Sequence, residues 1–319
     1  MSRALDGVAA PVPDAHPNGA AGTAATTPSK PRTGFRWRLI SSIVLWGLML
    51  AVVFWMPPSG LYLFLNLVVA RAIWEFYAIC EAKGLRVYKV WGTIGAVALI
   101  SGSWFVFGMQ RFHSPSDFPA LSYDFDIFIL LVFALGVFIR QFPQKLNPQG
   151  IETMSVTLFG LIYVAWLCNF ITRINFATEN GRFFVMYLVV VTKFTDMGAY
   201  LVGSTLGRHK LIPRISPNKT WEGTLGGIVF AVLSSVVCLR FVTPGLSSSG
   251  LRMNHALFLG VLLGAAAVVG DLAESLIKRE AGVKDSSNVL PGHGGALDLM
   301  DSLLFTAPLL YVYMRLVLR

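Results

Sequence analysis

Nine apolar runs divide this 319-residue chain. Most are close to the roughly 20 residues a helix needs to cross the hydrocarbon core of a bilayer, which leaves little room for any fold but a helical membrane bundle. The runs cover about 39–56, 60–80, 90–109, 126–142, 153–172, 183–203, 224–242, 255–277 and 303–318. The fourth and the last are the weakest, being short or interrupted by charge. Each run is apolar without interruption, whereas the strands of a membrane barrel would alternate and be half as long. With 55% of residues hydrophobic and only 13% charged, the composition excludes an ordinary soluble domain. The expected fold is all-α, a polytopic integral membrane bundle of about nine transmembrane helices with a cytoplasmic N-terminus.

Loop charges supply the orientation. With the N-terminus inside, 17 of the 26 lysines and arginines fall on inside segments, 6 on outside segments, Arg173 among them, and Arg71, Lys193 and Arg315 within runs. An even number of crossings would spoil that balance. The net charge of +9 is therefore the ordinary excess of inside loops; no basic stripe with interleaved aromatics points to nucleic acid, and none is expected as a partner. Cys80, Cys168 and Cys238 stand singly in apolar surroundings, with neither a disulfide framework nor zinc spacing. Residues 1–34, rich in Ala, Pro, Gly and Thr, read as a disordered tail without a signal peptide. Residues 35–319 read as one membrane domain, its chemistry concentrated in about 190–310.

Between the last two runs, residues 270–301 crowd carboxylates, lysines and a Gly-His-Gly-Gly turn. Such charge beside a bilayer is costly unless it binds a polyanion together with a cation. Asp271, Glu274 and Lys278 recur at i, i+3 and i+7 and so share a helical face. Asp298 and Asp301 recur at i, i+3 at the mouth of the last run. Two such pairs from successive helices could meet, and their oxygens suit Mg²⁺, which takes one or two carboxylates plus substrate phosphate oxygens. A purely structural cluster with Lys278, Arg279 and Lys284 is the alternative. In Pro291-Gly292-His293-Gly294-Gly295 the glycines allow a phosphate to approach the backbone, and His293 can donate to a phosphate oxygen.

A second constellation runs from Asp196 and Tyr200 to Ser216-Pro217-Asn218-Lys219-Thr220-Trp221-Glu222-Gly223. Lys193, Asp196 and Tyr200 share a face inside the sixth run, so the embedded Lys and Asp pair or hold a ligand. Arg208, Lys210, Arg214 and Lys219 form a cationic loop apt for a triphosphate. Ser216, Thr220 and Glu222 read as a helix entry with capping hydroxyls. Glu75 is expected to pair internally with Arg71 at i, i+4, and Gly203, Gly207, Gly226 and Gly227 to be helix-packing sites.

Together these segments resemble the phosphatidate cytidylyltransferase (CDP-diacylglycerol synthase) family. Its C-terminal signature is matched by Gly270-Asp271, Ser275-Leu276-Ile277-Lys278-Arg279, Lys284-Asp285 and Pro291-Gly292-His293-Gly294-Gly295, and an upstream motif by Ser216 to Gly223. Two positions depart from the pattern. Leu299 replaces an arginine between Asp298 and Asp301, removing a fixed charge and five donors, and Asn218 replaces a lysine. The resemblance implies transfer of a cytidylyl group from CTP to phosphatidate in the bacterial inner membrane, with the site facing the cytoplasm. It implies Mg²⁺, and leaves open a monovalent cation beside it and a homodimer. The roles that follow give Asp271, Asp298, Lys278 and Lys284 to catalysis, and Asp271, Asp298, Asp301 and Glu274 to the metal. Lys219, Ser216, Arg279, His293, Gly294, Gly295 and Asp196 bind substrate. Leu299 keeps other acceptors open: another lipid phosphate, a CTP-dependent lipid kinase, or a non-catalytic relative. An ion-coupled transporter using Asp271, Glu274 and Lys193 is the reading from another class, and the absence of an inverted repeat stands against it.

Overall fold

A computed structural model describes residues 47, 51–55, 58–112, 121–144, 147–241, 246, 250–284, 286–287 and 294–318. The expected disordered tail, most of the first apolar run, and His293 lie outside the described residues. Gly47 and a short helical stretch, Ala51–Trp55, are what is described of that first run.

The other eight runs all fall on helices. They are α1 (Pro58–Ala82), α2 (Lys89–Phe112), α3 (Leu121–Gln141), α4 (Gly150–Ala177), α5 (Gly181–Leu206), α6 (Trp221–Phe241), α7 (Met253–Glu280) and α8 (Ala296–Val317). Seven of the described helices, all but α3, are long and apolar enough to cross a membrane. The helices extend beyond the runs at charged ends. α8 starts at Ala296 rather than near 303, because acidic residues are favourable in the first turn of a helix. In α4, Leu161–Trp166 is a π-helical segment. The sequence reading contained no strand, yet α5 and α6 are joined by an antiparallel hairpin of β1 (Lys210–Ile212) and β2 (Ser216–Thr220).

Helix association in lipid depends on close van der Waals packing and small residues rather than on apolar burial. α5 and α6 meet through glycines: a Cβ on Gly223 or Gly227 would lie 2.8 or 2.9 Å from the carbonyl oxygens of Ala199 or Thr195. α7 packs on α6, and α8 lies against α1, α4, α5 and α7, so its buried face, with Leu297, Leu304 and Leu310, is central to the bundle.

Contacts place the connections bearing most of the basic residues at one end. Lys83 Nζ lies 3.3 Å from Glu280 Oε2, Tyr88 Oη donates to Gln141 at 2.5 Å, and Arg279 Nε donates to Ile215 O at 3.3 Å. The candidate site is at this end.

Candidate active site

A cavity of about 470 Å³ opens where α5, the end of β2, the first turn of α6 and α7 converge. Its polar wall is Thr195 and Asp196 from α5, Asn218, Lys219 and Thr220 from the hairpin, and Asp271 from α7. Lys219 Nζ lies 2.7 Å from Asp271 Oδ2. The ammonium is buried, and this ion pair is too poorly aligned to be a hydrogen bond, so its N–H groups lack an aligned acceptor among the described residues. An unsatisfied buried ammonium is costly, and an anion in the cavity would meet that need.

The hairpin that delivers Lys219 is tied down locally. The Glu222 carboxylate accepts from the backbone N–H groups of Arg208 (3.1 Å) and His209 (3.2 Å), and lies 2.6 Å from His209 Nδ1. Thr220 Oγ1 accepts from Gly223 N at 3.1 Å and caps α6. The expected capping role thus belongs to Thr220. Ser216 does not share it: it pairs with Ile212 across the hairpin, outside the cavity lining, because the segment before Thr220 extends as a strand.

Asp196 continues the site inward. Its Oδ2 lies 3.3 Å from Lys193 Nζ, the expected pair, and its Oδ1 accepts from Ser302 Oγ at 3.3 Å. Asp301, next in chain to Ser302, is buried and interacts electrostatically with Lys193, Asp271 and Asp196. α7 and α8 come close enough for this because residue 270 is glycine. A Cβ there would lie 2.6 Å from the Asp301 carbonyl oxygen and 3.0 Å from Ser302 Cα.

The remaining predicted residues gather in a second cluster. Lys278 Nζ lies 2.6 Å from Asp298 Oδ1 and 3.1 Å from Glu274 Oε2. Asp298 Oδ2 accepts from Ser286 Oγ (2.6 Å), Ser286 N (3.3 Å) and Gly295 N (2.7 Å). The last contact is the half of a capping box in which the third helical residue reaches back to the N-cap. Both Asp298 oxygens are therefore occupied by protein donors. Gly294 has φ +86° and Gly295 an ordinary φ, yet both exclude a side chain. A Cβ would meet Asp298 Oδ2 at 2.3 Å in the first case, and Glu75 Oε2 at 2.1 Å in the second. In this arrangement the two glycines make room for protein carboxylates, where the sequence reading had given them to a phosphate.

Glu75 is what that reading undervalued. Its pair with Arg71 is present at 3.0 Å, but Glu75 also receives Ser287 Oγ (2.6 Å), Ser286 Oγ (3.2 Å) and Leu297 N (3.0 Å). An acid embedded with one arginine in the second apolar run is the sequence signal for this role. Arg279 is exposed and holds the hairpin turn through Ile215 O, and Lys284 is exposed.

Among the described residues, no three His, Cys, Asp or Glu form a preassembled metal cluster. Magnesium does not require one, because substrate oxygens and water complete its shell. Of the four proposed ligands, Asp271 fits that requirement best. It lines the cavity, and among the described residues its Oδ1 accepts a single long hydrogen bond, from Ser275 Oγ at 3.4 Å. Asp301 stands behind it, while Glu274 and Asp298 are engaged by Lys278.

The sequence matches the profile of the cytidylyltransferase family over residues 36–317. Phosphatidate cytidylyltransferase of Bacillus subtilis (strain 168) is 32% identical over 276 residues, 86% of this chain and 97% of that protein. The protein of the same name from Staphylococcus aureus (strain COL) is 35% identical over 208 residues, 57% of this chain and 77% of that one. The uncharacterized protein YnbB of Escherichia coli (strain K12) is 31% identical over 270 residues, 80% and 84% of the two chains.

Proposed function

This chain belongs to the cytidylyltransferase family, and on that premise we propose that it converts CTP and phosphatidate to CDP-diacylglycerol and pyrophosphate. The relatives from Bacillus and Staphylococcus carry the name of that activity, which supports the substrate pair. The observation that carries the reading is the buried Lys219 ammonium facing a cavity at the basic end of a membrane bundle.

The chemistry asks little of a general base. A phosphate monoester has a second pKa near ~6 and is largely ionised at neutral pH. Its oxygen attacks the α-phosphorus of CTP, and the bond to the bridging oxygen breaks with the electron pair leaving on pyrophosphate. The obstacle is bringing two polyanions together, so fixed positive charge and orientation dominate. Lys219 neutralises phosphate oxygens in the cavity, held there by Asp271 and by the hairpin that Glu222 and Arg279 secure. Thr195, Thr220 and Asn218 supply further hydrogen-bonding groups on the same wall. Asp271, with Asp196 and Asp301 behind it, would hold a magnesium ion, which supplies charge neutralisation when bound. The positive-inside rule favours the cytoplasm for this end, where CTP is found. Val268 on the cavity lining and the half-buried flanking helices suit entry of the lipid from the side.

The test is formation of CDP-diacylglycerol by detergent-purified protein from CTP and phosphatidate, with Mg²⁺ varied and Lys219→Met alongside. Metal-dependent product that disappears in the variant is expected. Product with a different lipid phosphate and none with phosphatidate would move the acceptor and tie the change to Leu299. No nucleotide transfer to any lipid by folded protein would sink the proposal.

A further inference from the structure

We propose that Glu75 is a positioning residue. From α1, more than 200 residues away in sequence, it fixes the segment that carries Asp298, and it must be a carboxylate because each of its oxygens faces a group that can only donate. Oε1 accepts from Arg71 Nε at 3.0 Å and Ser287 Oγ at 2.6 Å. Oε2 accepts from Leu297 N at 3.0 Å and Ser286 Oγ at 3.2 Å. The serine hydroxyls can reverse their roles; a guanidinium and a backbone amide cannot. Whichever way an amide is turned at position 75, its NH₂ therefore faces Arg71 Nε–H or Leu297 N–H.

The geometry shows what the acid holds. Ser286 shares its one hydroxyl hydrogen between Asp298 Oδ2 at 2.6 Å and Glu75 Oε2 at 3.2 Å, its N–H also donates to Asp298, and Gly295, whose N–H bonds Asp298, lies against Glu75 where no side chain fits. Glu75 thus joins the residues after α7 to the start of α8, and through Ser286 it orients the Asp298 carboxylate that receives Lys278. Its side chain is 2% exposed and lines no part of the cavity, so it acts through these neighbours and not on substrate. Arg71 neutralises the acid from the bundle surface, its side chain 40% exposed.

This donor pattern permits a specific rescue. Removing the Arg71 donor leaves Leu297 N as the one donor-only partner of Glu75 among the described residues. An amide at 75 can then present its oxygen to Leu297 and Ser286 and its NH₂ to Ser287. Hydrogen exchange of the 286–297 segment and steady-state kinetics would be measured in detergent for Glu75→Gln, Arg71→Met and the double variant.

Exchange at Leu297 and its neighbours should rise by about tenfold or more in Glu75→Gln, with α6 unchanged. kcat should fall by about 10- to 100-fold while KM for CTP stays within about threefold. The double variant should return both readouts to within about threefold of Arg71→Met alone. Unchanged exchange in Glu75→Gln, or a double variant no better than that single one, would overturn the proposal. Should Glu75→Gln not fold, Ser287→Ala removes one of the four bonds and should raise exchange to a smaller degree; protection equal to wild type would overturn it equally. The kinetic arm rests on the proposed cytidylyl transfer, whereas the exchange arm does not. A wild type without transferase activity but with the expected exchange pattern would reject the reaction and keep the role of Glu75.

Discussion

Lys219 and Asp298 are both paired charges, but their surroundings assign them different consequences. Among the described residues, Lys219 faces the cavity with one ion pair and no aligned hydrogen bond, so on the proposed reading its spare capacity is directed at a ligand. Lys219→Met should lower CDP-diacylglycerol formation by about 10²- to 10³-fold, the effect typical of losing one charge-stabilising donor. Lys219→Arg should recover little, because a planar fork does not replace a compact ammonium in a closed corner. Asp298, by contrast, has both oxygens filled by Lys278, Ser286 and Gly295. Asp298→Asn puts an NH₂ against donors and should lower both activity and the melting temperature. Asp271→Asn should lower activity and weaken the Mg²⁺ dependence, with a smaller fall in melting temperature than Asp298→Asn, because Asp271 is 36% exposed and Asp298 14%. Equal thermal losses in the two variants would contradict this division. The residue types at all three positions were legible in the sequence, since acids and lysines beside a bilayer need partners. What spacing could not supply was the partner of each. Asp271 and Glu274 share a helical face, yet one turns to the hairpin and the other to Lys278.

At the scale of elements, apolar runs located the helices because continuous apolarity about 20 residues long has one solution in lipid. The hairpin left no such trace. β2 is five residues, contains Pro217 and has mostly polar side chains, so it lacks the alternation that marks a strand. The π-helical segment in α4 was equally silent, since nothing in Leu161–Trp166 departs from an ordinary apolar helix. Gly203, Gly226 and Gly227, in contrast, were legible as packing positions, because lipid rewards close backbone approach, whereas Gly270 drew notice only as part of a motif. Gly270 carries the sharpest consequence. The atoms a Cβ would strike, the Asp301 carbonyl oxygen and Ser302 Cα, are backbone and cannot swing aside. Gly270→Ala should therefore part α7 from α8 beside Asp271 and Asp301. Overpacking of this kind costs about 1–3 kcal/mol, to be read as a lower melting temperature in detergent, and activity should fall further than the thermal loss explains. Wild-type activity in this variant would mean that the two aspartates need not stand together.

Over the whole molecule, charge is sorted by end. The basic connections meet at the cavity end, in agreement with the loop-charge asymmetry, while a separate polar cluster lies deep toward the other. There Arg173 on α4 pairs with Asp126 on α3, and Asn169 Nδ2 donates to Ser103 Oγ (2.8 Å) and Asp126 Oδ2 (3.1 Å). Arg173 also lies over the rings of Phe107, Phe170 and Tyr311. Counted along α4, Arg173 is roughly 34 Å from the end that begins beside the cavity-end connections, at 1.5 Å per residue. The loop-charge count set Arg173 on an outside segment and left Asp126 without a role, because a pair between separate helices leaves no local pattern. Its distance from the cavity separates stability from chemistry. Arg173→Met leaves Asp126 buried without its cation, a loss on the order of 3 kcal/mol or more. Replacing both partners by apolar residues, Asp126→Leu with Arg173→Met, removes the stranded charge and should recover much of that loss. Thermal unfolding of the single and double variants measures the recovery. Turnover per folded molecule should stay near wild type in the double variant. A double variant as unstable as the single one would show the pair to be more than mutual compensation. A double variant that is stable but inactive would show that the far end of the bundle is coupled to the cavity.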